Sequence, residues 1–244
     1  MSTVVILNGV PRSGKSSIAR AIQDGLDGVW LNLGVDVFQT ATPANRQPGI
    51  GLRPGGERPD LEDYVATAYR AMFASIAAHV QRGLNVVTDV GLHDDYSAPL
   101  AIRREAAEIL QGLPVLFVGV RCPVDVVRQR RRDTWGGTGV AGVADVGGQA
   151  GVRGTGSLPG STAGARTDDP VLRWERAVHS PGRYDLELDT SQLTPQECAE
   201  RIAACLRTAT PLSSAAPPGT AASPEPAAPT SSAAPPPSAF FDLS

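Results

Sequence analysis

Short, unbroken apolar runs alternate along this chain with segments whose apolar residues recur every three or four positions. Val4-Val5-Ile6-Leu7, Val29 to Val35, Asn85 to Asp89 and Val115 to Val120 lack the alternation of a half-exposed sheet, so they read as strands covered on both faces. Arg183 to Thr190 alternates well enough for a fifth strand. Between them, Lys15 to about Leu26 carries Ile18, Ile22 and Leu26 four apart, the stripe of an amphipathic helix. Asp60 reads as an N-cap with Asp63 at N3. Behind it Leu61, Val65, Ala68, Met72, Ile76 and Val80 mark one face of a long helix that stops near Gly83. Ser97 to about Gln111, Pro123 to about Asp133, and Asp169 through Trp174 form further helical stretches. Thr194-Pro195-Gln196-Glu197 is a capping box with proline at the first helical position, followed by Cys198, Ile202, Cys205 and Leu206 on one face. Strands alternating with helices predict an α/β fold: a parallel sheet flanked by helices, with ligands at the carboxyl ends of the strands.

Three stretches fall outside this rhythm. Residues 40–59 are rich in Pro, Gly and Arg and read as a loop near substrate. Residues 135–166 hold eleven of the 26 glycines and few large apolar side chains, which predicts a flexible insertion. After about Thr208 the chain is Ala, Pro and Ser almost to its end. The organisation expected is thus one domain over 1–207 and a disordered tail over 208–244. The terminal Phe240-Phe241-Asp242-Leu243 reads either as a short docking motif or, more simply, as an inert end.

Composition narrows the picture. Net charge is -3, which argues against a general nucleic-acid or membrane-surface binder. Cys122, Cys198 and Cys205 are too few and too scattered for a disulfide or zinc framework, which fits a reduced cytoplasm. The chain starts directly on a strand, without the pattern of a secretory signal, and no apolar run approaches the length of a membrane span. His79, His93 and His179 have no metal spacing and read as surface or helix residues; Asp94-Asp95 reads as loop polarity.

The chemistry begins at Gly9. Gly9, Val10, Pro11, Arg12, Ser13, Gly14, Lys15 and Ser16 satisfy G-x-x-x-x-G-K-[ST] and lie between a strand and a helix, where a phosphate-binding loop must lie. Glycines let the backbone aim several N–H groups, that of Ser17 included, into one concavity at the positive end of a helix. Lys15 would reach the outer phosphates of ATP, and Ser16 would place a hydroxyl on Mg²⁺. Lys15 is the only lysine: arginine serves everywhere else. The expected architecture is therefore that of a P-loop NTPase, of the compact adenylate-kinase-like kind.

Two acids follow strand ends. Asp36 could accept or orient the proton of a substrate hydroxyl; it also has capping-box spacing to Gln39. Asp89 has the place of a metal-holding acid, or of a turn-stabilising one. Arg128, Arg130, Arg131 and Arg132 form either a solvated helix face or a lid over transferring phosphate, with Arg128 on nucleotide and Arg130 at the reacting centre. A GTPase would want Asn-Lys-x-Asp, and the single lysine is already spent. A small-molecule kinase with a hydroxyl acceptor fits best. A kinase of another metabolite, nucleoside or nucleotide-sugar is a second reading. A nucleotide-gated binding module using the Pro-rich tail is a third.

At these residues the chain resembles the chloramphenicol phosphotransferases. The likeness lies in VVILNGVPRSGKSSI, WLNLGVD, VVTDV, VLFVGVRC with its downstream arginines, and AVHSPGRYDLELDTS leading into QECAERIAACL, spanning most of residues 3–207 in order. The resemblance implies ATP-dependent phosphorylation of the primary hydroxyl of chloramphenicol or a related antibiotic, with Asp36 at the place of the family's base and Arg130 at that of a lid arginine. Residues 37–60, Pro11-Arg12, the insertion and the tail depart from it.

Overall fold

The computed structural model describes residues 2–136, 169–209 and 238–243. Five parallel strands form its one sheet: β1 (Val4–Asn8), β2 (Trp30–Asn32), β3 (Asn85–Val90), β4 (Val115–Arg121) and β5 (Leu186–Asp189), in the order β2-β3-β1-β4-β5. β1 is central, and every residue in it is buried. Its alternate side chains serve two cores. Val4 and Ile6 join Val86, Phe117 and the helices α3 (Pro59–Gln81) and α4 (Ile102–Leu110) on one face. Val5 and Leu7 join Val87, Val118 and the helices α1 (Lys15–Gly25) and α7 (Pro195–Ala209) on the other. An all-apolar strand is what a sheet covered twice requires. The remaining helices, α2 (Val35–Ala41), α5 (Val124–Gly136) and α6 (Pro170–Val178), stand beyond the carboxyl ends of the strands.

The helix starts correct several expectations. Gly34, not Asp36, is the N-cap of α2, so Asp36 sits in the first helical turn. Arg58 precedes Pro59 at the start of α3, and Asp60 pairs with the Arg58 guanidinium at 2.8 and 2.7 Å rather than capping. α4 begins at Ile102, five residues later than expected, because Pro99 interrupts the run and Ala101 takes the left-handed conformation (φ 54). The capping box forms as the spacing predicts: Glu197 N donates to Thr194 Oγ1 at 3.2 Å and Thr194 N to Glu197 Oε2 at 2.8 Å.

The expected insertion lies almost wholly outside the described residues, as does 210–237 of the expected tail. The chain end is a surprise. Ala239–Leu243 makes a 3₁₀ turn against the α3–α4 face, and Phe240 is fully buried, 5.1 Å from the Phe117 ring in an edge-on contact and 6.3 Å from Phe73. Asp185 holds it there: its Oδ1 accepts from Ala239 N at 2.6 Å, its Oδ2 from the Ser238 hydroxyl and from Phe117 N at 2.7 Å. The diaromatic end is part of the fold.

Candidate active site

Gly9 follows β1 directly, and only glycine fits there: a Cβ would stand 2.5 Å from Val120 O on the neighbouring strand. The loop then turns through Arg12 (φ 70) and Gly14 (φ 97), both left-handed, before α1 begins at Lys15. A run of backbone N–H groups in such a turn makes an anion-binding hollow. Lys15 Nζ donates to Gly9 O and Val10 O, both at 2.8 Å. Its enclosure lowers the ammonium's pKa to about 8, and the carboxylates of Asp89 and Asp36 act in the opposite sense. Both acids therefore lie near enough to the loop lysine for their charge to act on it.

Ser16 Oγ donates to Asp89 Oδ2 at 2.8 Å. Hydroxyl and carboxylate, offered by two elements at the mouth of one phosphate loop, are the oxygen donors that a hard divalent cation prefers. Gly34 makes room for them, since a Cβ there would stand 1.7 Å from Asp89 Oδ1. The residues present therefore fit a metal–triphosphate group, which Lys15, Ser16 and Asp89 could hold. No cluster of three or more His, Cys, Asp and Glu suited to a metal ion occurs among the described residues.

The loop is braced from beneath. Arg130 Nη1 donates to Arg12 O at 3.3 Å and to Thr190 Oγ1 at 3.1 Å, and its Nη2 to Thr190 O at 2.7 Å; Thr190 Oγ1 donates in turn to Ser13 O at 2.6 Å. Arg130 thus grips the backbone of the phosphate loop and of the turn after β5 rather than standing out as an open lid. Arg128 forms an ion pair with Asp169, the N-cap of α6, tying α5 to α6.

A second knot lies behind the loop. Asn8, the last residue of β1, is buried; its Oδ1 accepts from Leu92 N at 2.8 Å, and its Nδ2 donates to Val178 O and Tyr184 Oη, each at 3.1 Å. One amide so joins the phosphate loop's strand to the turn after β3 and to the end of α6. Tyr184 lies flat over Gly119, where a Cβ would stand 2.5 Å from its ring, and its hydroxyl meets His179 Nδ1 at 2.7 Å. Burial and the cations Arg121 and Lys15 push the His179 pKa down to about 3, so its imidazole is neutral. His93 and His179 are both buried, His179 at the C-cap of α6 as a helix residue and His93 in the loop after β3, away from the surface and helix positions expected. Asp94 and Asp95 are more than loop polarity: Asp94 meets the buried Arg103 at 3.2 Å, and Asp95 takes Arg173 of α6 at 2.9 and 3.2 Å.

Beside Asp36, a half-open apolar crevice with a cavity volume of about 30 Å³ lies between α2 and α3, lined by Val35, Phe38, Thr42, Leu52, Tyr64 and Met72 among others. It falls within residues 37–60 in part, the stretch expected near substrate. Sequence reasoning missed Asn8 and Thr190; Thr190, with His179 and Tyr184, lies in the block AVHSPGRYDLELDTS, quoted above for resemblance alone.

The chain is similar to known proteins in sequence and in fold. A provisionally named O-phosphotransferase of Mycobacterium tuberculosis (strain H37Rv) is 25% identical over 213 residues, 82% of this chain and 80% of its own; the protein of strain CDC 1551 matches equally. Among solved structures, a shikimate kinase from Acinetobacter baumannii in complex with shikimate superposes with a TM-score of 0.50 at 12% identity, covering 85% of this chain and 94% of that one. An unliganded sugar kinase from Janibacter sp. HTCC2649 gives 0.50 at 17% identity, covering 85% and 95%. The fold is that of the P-loop kinases. With residues 2–207 matching the family described as chloramphenicol phosphotransferase-like protein, this chain belongs to that family of small-molecule phosphotransferases.

Proposed function

We propose that the protein transfers the γ-phosphoryl group of ATP, with Mg²⁺, to a hydroxyl of a small molecule, best represented by chloramphenicol or a related antibiotic. The observation that carries this reading is the contact of Ser16 with Asp89 at 2.8 Å beside the Lys15 ammonium of the phosphate loop, on which the charge of Asp36 also acts. ATP and Mg²⁺ supply the transferable phosphoryl group and neutralise its charge. Lys15 leaves the carbonyls of Gly9 and Val10 to meet the outer phosphates, and Ser16 and Asp89 offer oxygens to the metal. Asp36 orients the acceptor hydroxyl and takes its proton at a carboxylate oxygen. Arg130 keeps the loop in its cupped shape through Arg12 O, and Arg128 fixes α6 beside it. The chain's contribution is mainly placement and charge, which is what phosphoryl transfer asks of a protein.

The apolar lining of the crevice between α2 and α3, next to Asp36 in the first turn of α2, favours an acceptor with an apolar body. A metabolite kinase remains the alternative because the chain departs from the resembling pattern over 37–60. Labelled ATP offered with chloramphenicol, related antibiotics, shikimate, gluconate and nucleosides tests the reading. Transfer to one of these alcohols is expected, with Asp36→Asn keeping nucleotide affinity and losing transfer. Nucleotide binding without transfer to any alcohol would overturn it.

A further inference from the structure

We propose that Thr190, in the turn after β5, is a positioning residue for the phosphate loop: its hydroxyl fixes the plane of the Ser13–Gly14 peptide and so aims Gly14 N–H at the phosphates of the nucleotide. This rests on the reading of Gly9 to Ser16 as the nucleotide site of a kinase, and it adds to that site a residue distant in sequence.

The Thr190 hydroxyl has a single proton to give. Arg130 can only donate, so its contact at 3.1 Å uses a lone pair of Thr190 Oγ1 and leaves that proton for an acceptor. Of the acceptors around it, Ser13 O lies at 2.6 Å, Arg121 O at 3.4 Å, and the Cys122 sulfur is a weak one. The proton goes to Ser13 O, and the guanidinium beside the hydroxyl polarises and strengthens that bond.

Thr190 is itself held from two sides. Its N donates to Arg121 O at 3.0 Å, and its O accepts from Arg130 Nη2 at 2.7 Å. It follows directly on Asp189, which pairs with Arg121 in the sheet. The hydroxyl therefore stands where β4, β5 and α5 put it, 177 positions along the chain from the carbonyl it holds.

That carbonyl decides the direction of an amide. Ser13–Gly14 is trans, since the only cis peptide among the described residues joins Ser180 to Pro181. Across a trans peptide the C=O and N–H groups point in opposite directions. With Ser13 O drawn to Thr190, Gly14 N–H points to the other side of the loop. The neighbouring groups are committed within the loop and the helix: Ser13 N donates to Val10 O at 3.2 Å, and Gly14 O accepts from Ile18 N at 3.1 Å. The peptide between them links the loop to α1 through a left-handed glycine (φ 97), the residue type that turns over most readily. Thr190 supplies an outside contact that stops it from turning, and its Cγ2 lies 3.4 Å from the point where a Cβ on Gly14 would stand.

Ser13–Gly14 is the only Ser-Gly pair in the sequence, so ¹³C-carbonyl serine combined with ¹⁵N-glycine reports one amide, that of Gly14. The full chain is titrated with Mg²⁺–ADP and, separately, with adenosine, as wild type, Thr190→Val and Thr190→Ser. In wild type, ADP is expected to move the Gly14 signal downfield and adenosine to leave it in place. Thr190→Val keeps the side chain's shape and loses its hydroxyl, while Arg130 retains Thr190 O and Arg12 O. ADP affinity is expected to fall about 5- to 30-fold in that variant with adenosine affinity unchanged, and Thr190→Ser to restore most of the loss. A Gly14 signal unmoved by ADP in wild type overturns the inference, whether or not Thr190→Val folds. Undiminished ADP affinity in Thr190→Val, an equal loss for ADP and adenosine, or a Thr190→Ser as weak as Thr190→Val also overturns it. The expected differences without phosphate transfer to any alcohol would sink the kinase reading and leave the inference standing. Transfer by wild type together with equal ADP affinity in Thr190→Val would do the reverse.

Discussion

Ser16 and Asp89 meet at 2.8 Å across the mouth of the phosphate loop, the hydroxyl from the first turn of α1 and the carboxylate from the end of β3. β1, which runs into the phosphate loop ahead of Ser16, pairs in register with β3, Leu7 beside Asp89, so the sheet sets where the carboxylate stands relative to the loop. Asp89→Asn keeps the shape and removes a negative charge from the metal's side. Activity is expected to fall about 100-fold or more, with the Mg²⁺ concentration for half-maximal rate rising and ATP-analogue affinity without metal little changed. A Mg²⁺ titration of turnover in wild type and variant checks this; an unshifted Mg²⁺ requirement would remove Asp89 from the metal's surroundings.

Lys15 has its pKa lowered to about 8 by enclosure, so part of its charge is lost within the working range of most assays. In the free protein the ammonium is fully present below that value and disappears as pH rises through it. The apparent affinity for ATP is therefore expected to decline above about pH 8, where an ordinary lysine would hold its charge beyond pH 10. The folding linkage has the opposite sense: between 8 and 10.5 the unfolded chain binds the extra proton, so this group makes the fold more stable as pH rises. Nucleotide titrations from pH 6.5 to 9.5 check the first effect, and Lys15→Ala should bind weakly with no such step.

Much of this was legible in the residues, for reasons that can be named. Val4 to Leu7 must be a doubly covered strand because no polar position interrupts it, and the glycine-lysine spacing after it admits few other geometries. Thr194 and Glu197 cap their helix because both partners lie within one turn. What was not legible depends on contacts between distant segments. Nothing local to Asn8 says that it will bind Val178, Tyr184 and Leu92, up to 176 positions away. Arg130 carries no mark telling whether it covers phosphate or grips Thr190. Asp60 looks like a cap from its neighbours alone, yet the proline beside it moves the helix start and leaves it to Arg58.

His179 offers a stability test. Its pKa is pushed from 6.5 to about 3 in the fold by burial and by the nearby cations. Between those values the unfolded chain binds a proton that the folded one refuses, so stability is fully present above about pH 6.5 and drains away as pH falls. At pH 5 the loss from this single group is about 2 kcal/mol. Denaturant unfolding of wild type and His179→Gln at pH 5 and pH 7 measures it. The variant, which loses the Tyr184 contact at both values, should show a smaller difference between them; an equal difference would place the acid sensitivity elsewhere.

Phe240 provides the clearest case of a distant segment completing the core. Its ring is fully buried beside Phe117 and Phe73, yet the residues joining it to α7 are mostly Ala, Pro and Ser. Without it, the β4 side of that sheet face would expose Phe117 and the aromatic edge of Tyr184, whose rings meet at a tilt with centroids 4.8 Å apart. Phe240→Ala should cost about 3–5 kcal/mol, the usual toll for an emptied phenylalanine site. That corresponds to a melting temperature lower by roughly 10 °C for a domain of this size. Asp185→Asn should cost less, since an amide oxygen can still accept from Phe117 N or Ala239 N while the second carboxylate oxygen is lost. Thermal melts of the two variants and of a chain ending at Ala209 measure the series, with the truncation expected to match or exceed Phe240→Ala. If removal of the end leaves the melting temperature unchanged, the core closes without it and the segment does not contribute to the fold.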